Sequence, residues 1–343
     1  MDPVSQGVLG SVLPQAVAPS NPKRFAVAGA GWLAGMLPDA DVLIRSSADP
    51  LLFLEYHRQF THSLVFIPMG GLIAAALLWP IWRRWMGFVP LYLVCVLGYG
   101  THGLLDACTS YGTQLLWPFS DVRYAWNNVS IVDPLFTLPL LFLVGWAGWS
   151  QRRRIAVIGL CWALGYLSLG VVQRERARSA AAELAARRGH VPVRLSAKPS
   201  FGNLLLWKSI YEFDGRFYVD AIRLGGDAQL YEGDSIARFD DERMLELPAG
   251  AALLRRDVAR FMWFSDRYVA AFPRANPFLG DIRYSFLPHE VEPLWGIEWL
   301  DENADGHVRF INRRENVKAK IEVFRKMLWG ENIRRFPSVP AQP

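Results

Sequence analysis

GFVPLYLVCVLGYGTHGLLD, residues 87–106, decides the architecture of this chain. The run Gly87–Leu105 carries no Lys, Arg, Asp or Glu and is close to the roughly 20 apolar residues that cross a bilayer as a helix. Its end is chemically unusual. His102 and Asp106 stand four apart, so a helix presents both from one face, where they can bind one ion.

Three further runs approach or reach spanning length: Ser63–Trp82, Pro134–Ser150 and Ile155–Val172. Two shorter ones, Gly7–Ala18 and Phe25–Leu37, precede them, and their Gly, Ala and Pro content suits tilted or re-entrant helices packed inside a bundle. Asp2 stands where a signal peptide has basic residues, and no cleavage signature follows, which argues against a removed leader. Residues 1–173 hold ten Lys/Arg and eight Asp/Glu, whereas residues 174–343 hold 27 and 24. The expected fold is therefore an α-helical polytopic membrane bundle of four clear spans and two short N-terminal helices. A helical linker over 174–189 and a small soluble α+β domain over 190–343 follow it. This split excludes a single soluble globule, a disordered chain and a fibrous repeat. The net charge of +5 divides too evenly for a nucleic-acid arm, so no nucleic-acid partner is expected. Cys95, Cys108 and Cys161 lie in or just after apolar runs and offer no disulfide framework or Cys-type zinc site.

Lys23–Arg24, Arg83–Arg84 and Arg152–Arg154 fall between successive pairs of apolar runs. If these connections are cytoplasmic, the N-terminus, residues 38–62, residues 106–133 and everything after 173 face outward, which in a Gram-negative bacterium is the periplasm. Arg174, Arg176, Arg178, Arg187 and Arg188 oppose that assignment, but long domains translocate largely regardless of such charges. By this topology Asp2, Asp39, Asp41, Asp106, Asp133, His57, His62 and His102 all fall at helix ends on one membrane face. Alone, each such residue reads as a cap or a hydrogen-bonded packing group; together they point to a metal centre, because ionisable groups are costly there. His57 and His62 are five apart, about 140° on a helix, which puts His57 in the preceding loop and His62 at the helix start. Asp39 and Asp41 follow Pro38 in a turn where alternate residues converge. Mixed imidazole and carboxylate ligands from Asp39, His57, His62, His102 and Asp106 fit zinc first, then manganese or iron, and such a site can hold two metals. Asp49, Glu55 and Asp121 have no spacing partner and read as surface charge.

Six short motifs occur in order: MDPVSQ at 1–6, PDAD at 38–41, HRQFTHS at 57–63, HGLLD at 102–106, TSYGTQ at 109–114 and VDP at 132–134. Together they resemble the membrane-bound, metal-dependent hydrolase family that includes the LexA-binding inner-membrane hydrolases. More distantly they are similar to zinc-dependent phospholipase C-like proteins. The resemblance covers residues 1–134 and implies a polytopic, bacterial inner-membrane protein with a hydrolase-type metal site at Asp39, Asp41, His57, His62, His102 and Asp106. Many relatives carry His where this chain has Gln6. The family supplies no substrate.

The chemistry expected is metal-assisted hydrolysis, with Asp41 or Asp133 outside the ligand shell taking the proton of a metal-activated water. A site at helix ends reaches a lipid or lipid-linked substrate without extracting it from the bilayer; phosphoesters come first, amides and acyl esters second. Arg58 and Arg123 are candidates for holding an anionic group, with interfacial snorkelling as the alternative. The 26-residue loop Ala107–Val132 has the length of a lid or binding loop, and Trp117 and Trp126 read as interfacial anchors. Gly98, Gly100 and Gly103 permit close helix approach behind His102. The competing class is a non-catalytic membrane adaptor with a structural metal and a protein partner on residues 190–343. A transporter fits less well, because its carboxylates belong at the midplane.

In the second half, Arg174–Arg188 reads as a helix leaving the membrane and stopped by Gly189. Leu204–Tyr211 and Arg216–Leu224 form a hairpin around Asp214-Gly215. A helix is expected over Gly250–Phe272, in one piece or in two divided near Asp257, then strands at Ile282–Phe286, Gly296–Leu300 and His307–Ile311, and a closing helix at Glu315–Trp329. Residues 301–306, DENADG, match the opening of a calcium loop, but Asn312 replaces the bidentate Glu, so the reading is an Asp-Gly turn. His190, His289 and His307 lack ligand spacing and read as packing or surface residues.

Overall fold

A computed structural model describes residues 1–18, 23–247, 251–300, 306–313 and 317–333. The chain divides into two compact units. The first comprises Met1–Ile44, Tyr56–Val172 and Phe201–Leu204; the second comprises Arg45–Glu55, Gln173–Ser200 and Leu205–Pro343.

The first unit is helical: α1 (Pro3–Val17), α2 (Arg24–Met36), α4 (Ile67–Trp82), α5 (Phe88–Cys108), α6 (Pro134–Ser150) and the first part of α7 (Arg153–Arg187). Both Asp-Pro pairs start helices. Asp2 accepts hydrogen bonds from the Val4 and Ser5 amides at the head of α1, and Asp133 accepts from Leu135 and Phe136 at the head of α6. Each following Pro sits at the first helical position, where its missing N–H costs nothing. Among the described residues, three helices are long and apolar enough to cross a membrane: Leu64–Trp82 (a 3₁₀ turn, Leu64–Phe66, running into α4), α5 and α7. At 21 residues α5 is about 32 Å long, against a hydrocarbon core of about 30 Å. The fourth expected span, α6, is a 17-residue apolar helix, shorter than the other three; it ends where Gln151 takes a left-handed conformation at φ 57°.

The two N-terminal helices, of 15 and 13 residues, are mostly buried. They pack through backbone on backbone. A Cβ on Gly98 would lie 2.6 Å from the Gly31 carbonyl oxygen and 3.1 Å from that of Gly10, so α1, α2 and α5 meet at glycine. This junction brings the end of α2, which leads to Asp39, against the turn of α5 that leads to His102. Of the three glycines expected behind His102, Gly98 and Gly103 make close backbone approaches, whereas Gly100 has only the Ile67 side chain nearby, at 3.4 Å.

The second unit holds two antiparallel sheets. β1 (Arg194–Pro199), β2 (Leu206–Phe213), β3 (Arg216–Leu224) and β4 (Ala228–Tyr231) run in order, and β5 (Ser235–Ala237) also pairs with β3. β6 (Val269–Phe272), β7 (Phe278–Asp281), β8 (Trp295–Glu298) and β9 (Arg309–Asn312) form the other. Helices α8 (Asp241–Leu245), α9 (Ala252–Phe264) and α10 (Val317–Trp329) complete it, with the short α3 (Leu52–Tyr56) from the first half of the sequence. The Asp214-Gly215 hairpin forms with both residues at positive φ, 49° and 66°. The expected linker is the continuous end of α7, and Gly189 follows it at φ 74°.

Two expectations need correcting. The helix expected over Gly250–Phe272 is a single piece, Ala252–Phe264, and stops there, because Asp266 and Arg267 adopt positive φ and Val269–Phe272 is a strand; Gly250 lies outside the described residues. The strand expected at Ile282–Phe286 lies earlier, at Phe278–Asp281, because Asp281 chelates the Arg283 amide and guanidinium and closes a turn. Residues 301–305 of the calcium-like motif, and Glu315 of the closing helix, lie outside the described residues.

Lys198 on β1 and Lys208 on β2 are register partners, and both are 5% exposed. Lys208 Nζ donates to Ser285 Oγ (2.6 Å) and the Glu290 carbonyl (2.8 Å), while Lys198 Nζ lies 5.6 Å and 5.8 Å from the Tyr268 and Tyr284 ring centres. Burial, helped by Arg283, pushes Lys198 down to about 7, and burial pushes Lys208 there too. An unfolded lysine titrates near 10.4, so between about pH 7 and 10 the unfolded chain holds protons that the fold has released. Stability from these two groups therefore rises with pH across that window. Lys198→Met is expected to raise the thermal midpoint of the full chain in detergent at pH 7 and to flatten its rise towards pH 10, as followed by circular dichroism.

Candidate metal centre

Four side chains converge at one end of these helices. Asp39 comes from the 3₁₀ turn Leu37–Leu43 that continues α2, His62 from the turn Phe60–His62, and His102 and Asp106 from the last turns of α5. Asp39 Oδ1 lies 3.5 Å from His62 Nε2 and 3.3 Å from His102 Nε2. Asp106 Oδ2 lies 3.2 Å and 3.6 Å from the same two nitrogens. A tetrahedron around zinc with bonds of about 2.0–2.1 Å has edges of about 3.3 Å, and these four separations are of that size, with all four ligand atoms within 4.8 Å of one another. His62, His102 and Asp106 are fully buried side chains, and Asp39 is 27% exposed.

The hydrogen bonding points the same way. His102 Nδ1 donates to the Gly35 carbonyl at 2.5 Å, which fixes the tautomer and leaves the Nε2 lone pair facing the cluster. His62 Nδ1 lies 2.9 Å from Thr61 Oγ1 and 3.2 Å from Asp41 Oδ2, with the same consequence. His62 Nε2, His102 Nε2 and Asp106 Oδ2 are buried with no hydrogen-bond partner among the described residues, Arg58 lying near the last of them as an ion pair. Burying three such atoms together is expensive unless a cation satisfies them. The residues therefore fit a zinc-like ion. Burial alone would lower the His62 pKa, but its contacts with Asp106, Asp39 and Asp41 raise it to about 10, a measure of how strongly the carboxylates favour positive charge there.

Asp41 is buried outside that tetrahedron, and its oxygens are already engaged. Oδ1 meets His57 Nδ1 at 2.8 Å; Oδ2 accepts from the Arg58 amide at 3.0 Å and the Thr61 hydroxyl at 2.9 Å. Asp39, Asp41 and His57 form a second group of close ligand atoms, but the Asp41–His57 pair satisfies itself, unlike the four-residue cluster. His57 thus stands beside the centre, 18% exposed, with its ring 5.9 Å from that of His62 and 5.6 Å from Tyr111.

Asp106 is held from behind. Gln6 Nε2 donates to its Oδ1 at 2.8 Å, the Met1 amino group pairs with the same oxygen, and Arg58 Nε lies 3.0 Å from Oδ2. Arg58 adopts φ 64°, donates to Thr109 Oγ1 and stacks over Tyr111 at 4.7 Å, with Arg123 near the same ring at 5.8 Å. Asp133 does not join the cluster: it caps α6 and accepts from the Tyr166 hydroxyl at 2.9 Å. Thr61 and the Gly35 carbonyl were not singled out from sequence; Thr61 lies inside the HRQFTHS motif, whereas a backbone acceptor leaves no side-chain signal.

Fold and site together define a membrane protein with apolar spanning helices and a pre-arranged His/Asp candidate metal centre at their ends. The chain belongs to the family described as YdjM inner membrane protein, which it matches over residues 1–177. It is 38% identical over 144 residues to the inner membrane protein YbcI of Escherichia coli K12, covering 39% of this chain and 81% of that protein. It is 30% identical over 103 residues to the uncharacterized protein YfhP of Bacillus subtilis 168, covering 30% of this chain and 31% of that one. No solved structure matches significantly.

Gly103 tests the construction without touching a ligand. A Cβ there collides with the His62 carbonyl oxygen, which is backbone and has little room to give. Gly103→Ala is expected to cut bound zinc at least tenfold, whereas Gly100→Ala retains it; metal analysis of the purified proteins decides.

Proposed function

We propose that this protein is an inner-membrane metal-dependent hydrolase that cleaves a phosphoester, or another ester, of a lipid or lipid-linked substrate at the outer membrane face. The observation that carries the reading is a cluster of ligand atoms left unsatisfied beside a carboxylate-anchored, partly exposed histidine. Asp39, His62, His102 and Asp106 would hold the ion, zinc before manganese or iron. A bound Zn²⁺ supplies a water whose pKa falls to about 7 and polarises the scissile oxygen.

Both Asp41 oxygens are occupied, so Asp41 acts through its neighbour. His57, oriented by Asp41, takes the proton of the attacking water and returns it to the leaving group. Arg58 and Arg123, both near the Tyr111 ring, hold the anionic part of the substrate. Asp39 is the half-open ligand, and it faces the side where His57 stands. A lipid substrate is supported by the loop after α5. Its tip exposes Leu116, Phe119 and Val122, with Phe119 82% exposed, and its base is tied to a spanning helix through the Leu64 amide and Leu115 carbonyl. The outward orientation rests on the Lys/Arg loops, and with it the periplasmic side of the second unit.

Four protein ligands also suffice for a closed, structural ion, the arrangement of a membrane adaptor whose second unit binds a protein. The variants separate the two readings. Zinc-loaded protein in lipid nanodiscs is expected to hydrolyse a member of a phosphoester and lipid-ester panel. His57→Ala should lower the rate about 10²–10⁴-fold at unchanged zinc content, while His62→Ala and His102→Ala lose the metal. Zinc-dependent folding with no hydrolysis across the panel would favour the adaptor.

A further inference from the structure

Two of the four cluster residues, Asp39 and His62, lie either side of a chain segment that belongs to the second unit, with Asp41 and His57 next to them on the same two stretches. That segment, Arg45–Glu55, is seated by three means. Leu51 and Leu54 are buried, Phe53 meets Phe310 edge-on at 5.2 Å, and a single guanidinium takes its two acids. Arg260, on α9, contacts Asp49 Oδ1 through Nη1 and Glu55 Oε2 through Nη2, both at 2.9 Å. Its Nη1 also lies 3.3 Å from Asp257 Oδ1. Asp257 is fully buried, and its other oxygen accepts from His307 Nδ1 at 2.8 Å and the Val308 amide at 3.2 Å. Asp49, Asp257 and His307 group tightly enough to suggest an ion of their own. Arg260 already supplies that positive charge, so the group is an ion-pair hub.

Asp41 lies four residues before Arg45, and His57 two residues after Glu55. Whatever fixes Asp49 and Glu55 therefore fixes the two chain ends that carry the ligands. We infer that Arg260 is a positioning residue of the metal centre: by clamping Asp49 and Glu55 it holds the Asp39/Asp41 and His57/His62 segments at the separation that metal binding needs. The inference rests on the metal reading above. Arginine suits the task because its planar fork engages two carboxylates at once, which a lysine ammonium does not do in fixed geometry. Groups that orient ligands without touching the ion typically matter about 10–100-fold in affinity.

The test uses the full chain in detergent, titrated with zinc against a chelator and with cobalt(II), whose visible spectrum reports ligand geometry. Arg260→Ala is expected to weaken zinc binding at least tenfold and change the cobalt spectrum while far-ultraviolet circular dichroism stays as in the parent. Arg260→Lys should recover part of the loss, and Glu55→Gln, at the more exposed arm, should cost less. If Arg260→Ala fails to fold, Asp49→Asn with Glu55→Gln carries the same expectation. Parent-like affinity and spectrum in the folded variants, with the parent protein loading normally, overturn this inference alone. A parent protein that binds neither ion overturns the metal reading and the inference with it.

Discussion

The site in the helical unit answers to one electrostatic constraint: two imidazole nitrogens and a carboxylate oxygen are buried together, with no hydrogen-bond partner among the described residues and only the Arg58 guanidinium beside the oxygen as an ion pair. In a low-dielectric setting such groups are tolerated only where a cation completes them or where they serve chemistry. The surrounding bonds prevent the cheaper solutions. The Gly35 carbonyl holds His102, Thr61 and Asp41 hold His62, and Gln6 and Met1 hold Asp106, so none of the rings or the carboxylate can rotate away.

That rigidity depends on backbone proximity. α1, α2 and α5 cross at Gly10, Gly31 and Gly98, and Gly103 lies against the backbone of the turn carrying His62. A side chain at these points would separate the helices by more than the few tenths of an ångström that a ligand set tolerates. The short N-terminal helices are thus the inner wall against which α5 packs.

The same geometry separates roles that share chemistry. Asp41 and His57 have the residue types of ligands, yet they satisfy each other and stand beside the cluster. Asp133 has the placement of a catalytic carboxylate in the sequence, yet its oxygens go to a helix N-terminus and Tyr166. In the second unit, Asp49 and Glu55 read as surface charge until Arg260 is seen between them.

Apolar run lengths and the sparse charge of residues 1–173 determined the membrane class, the helical bundle and its junction with a charged second half, because hydrophobic length and periodicity are local properties. Local spacing also marked His102 with Asp106, and the clustering of scarce ionisable groups marked Asp39 and His62. The sheet domain was less legible: the hairpin at Asp214-Gly215 was readable from its turn, whereas the ends of α9 and β7 depended on a chelated turn and on pairing across the sheet. Only the tertiary structure decided which acids join the four-residue cluster and which face other partners. It alone returned residues 45–55 to the second unit. Both are settled by contacts between segments far apart in the chain, and sequence spacing carries no record of them.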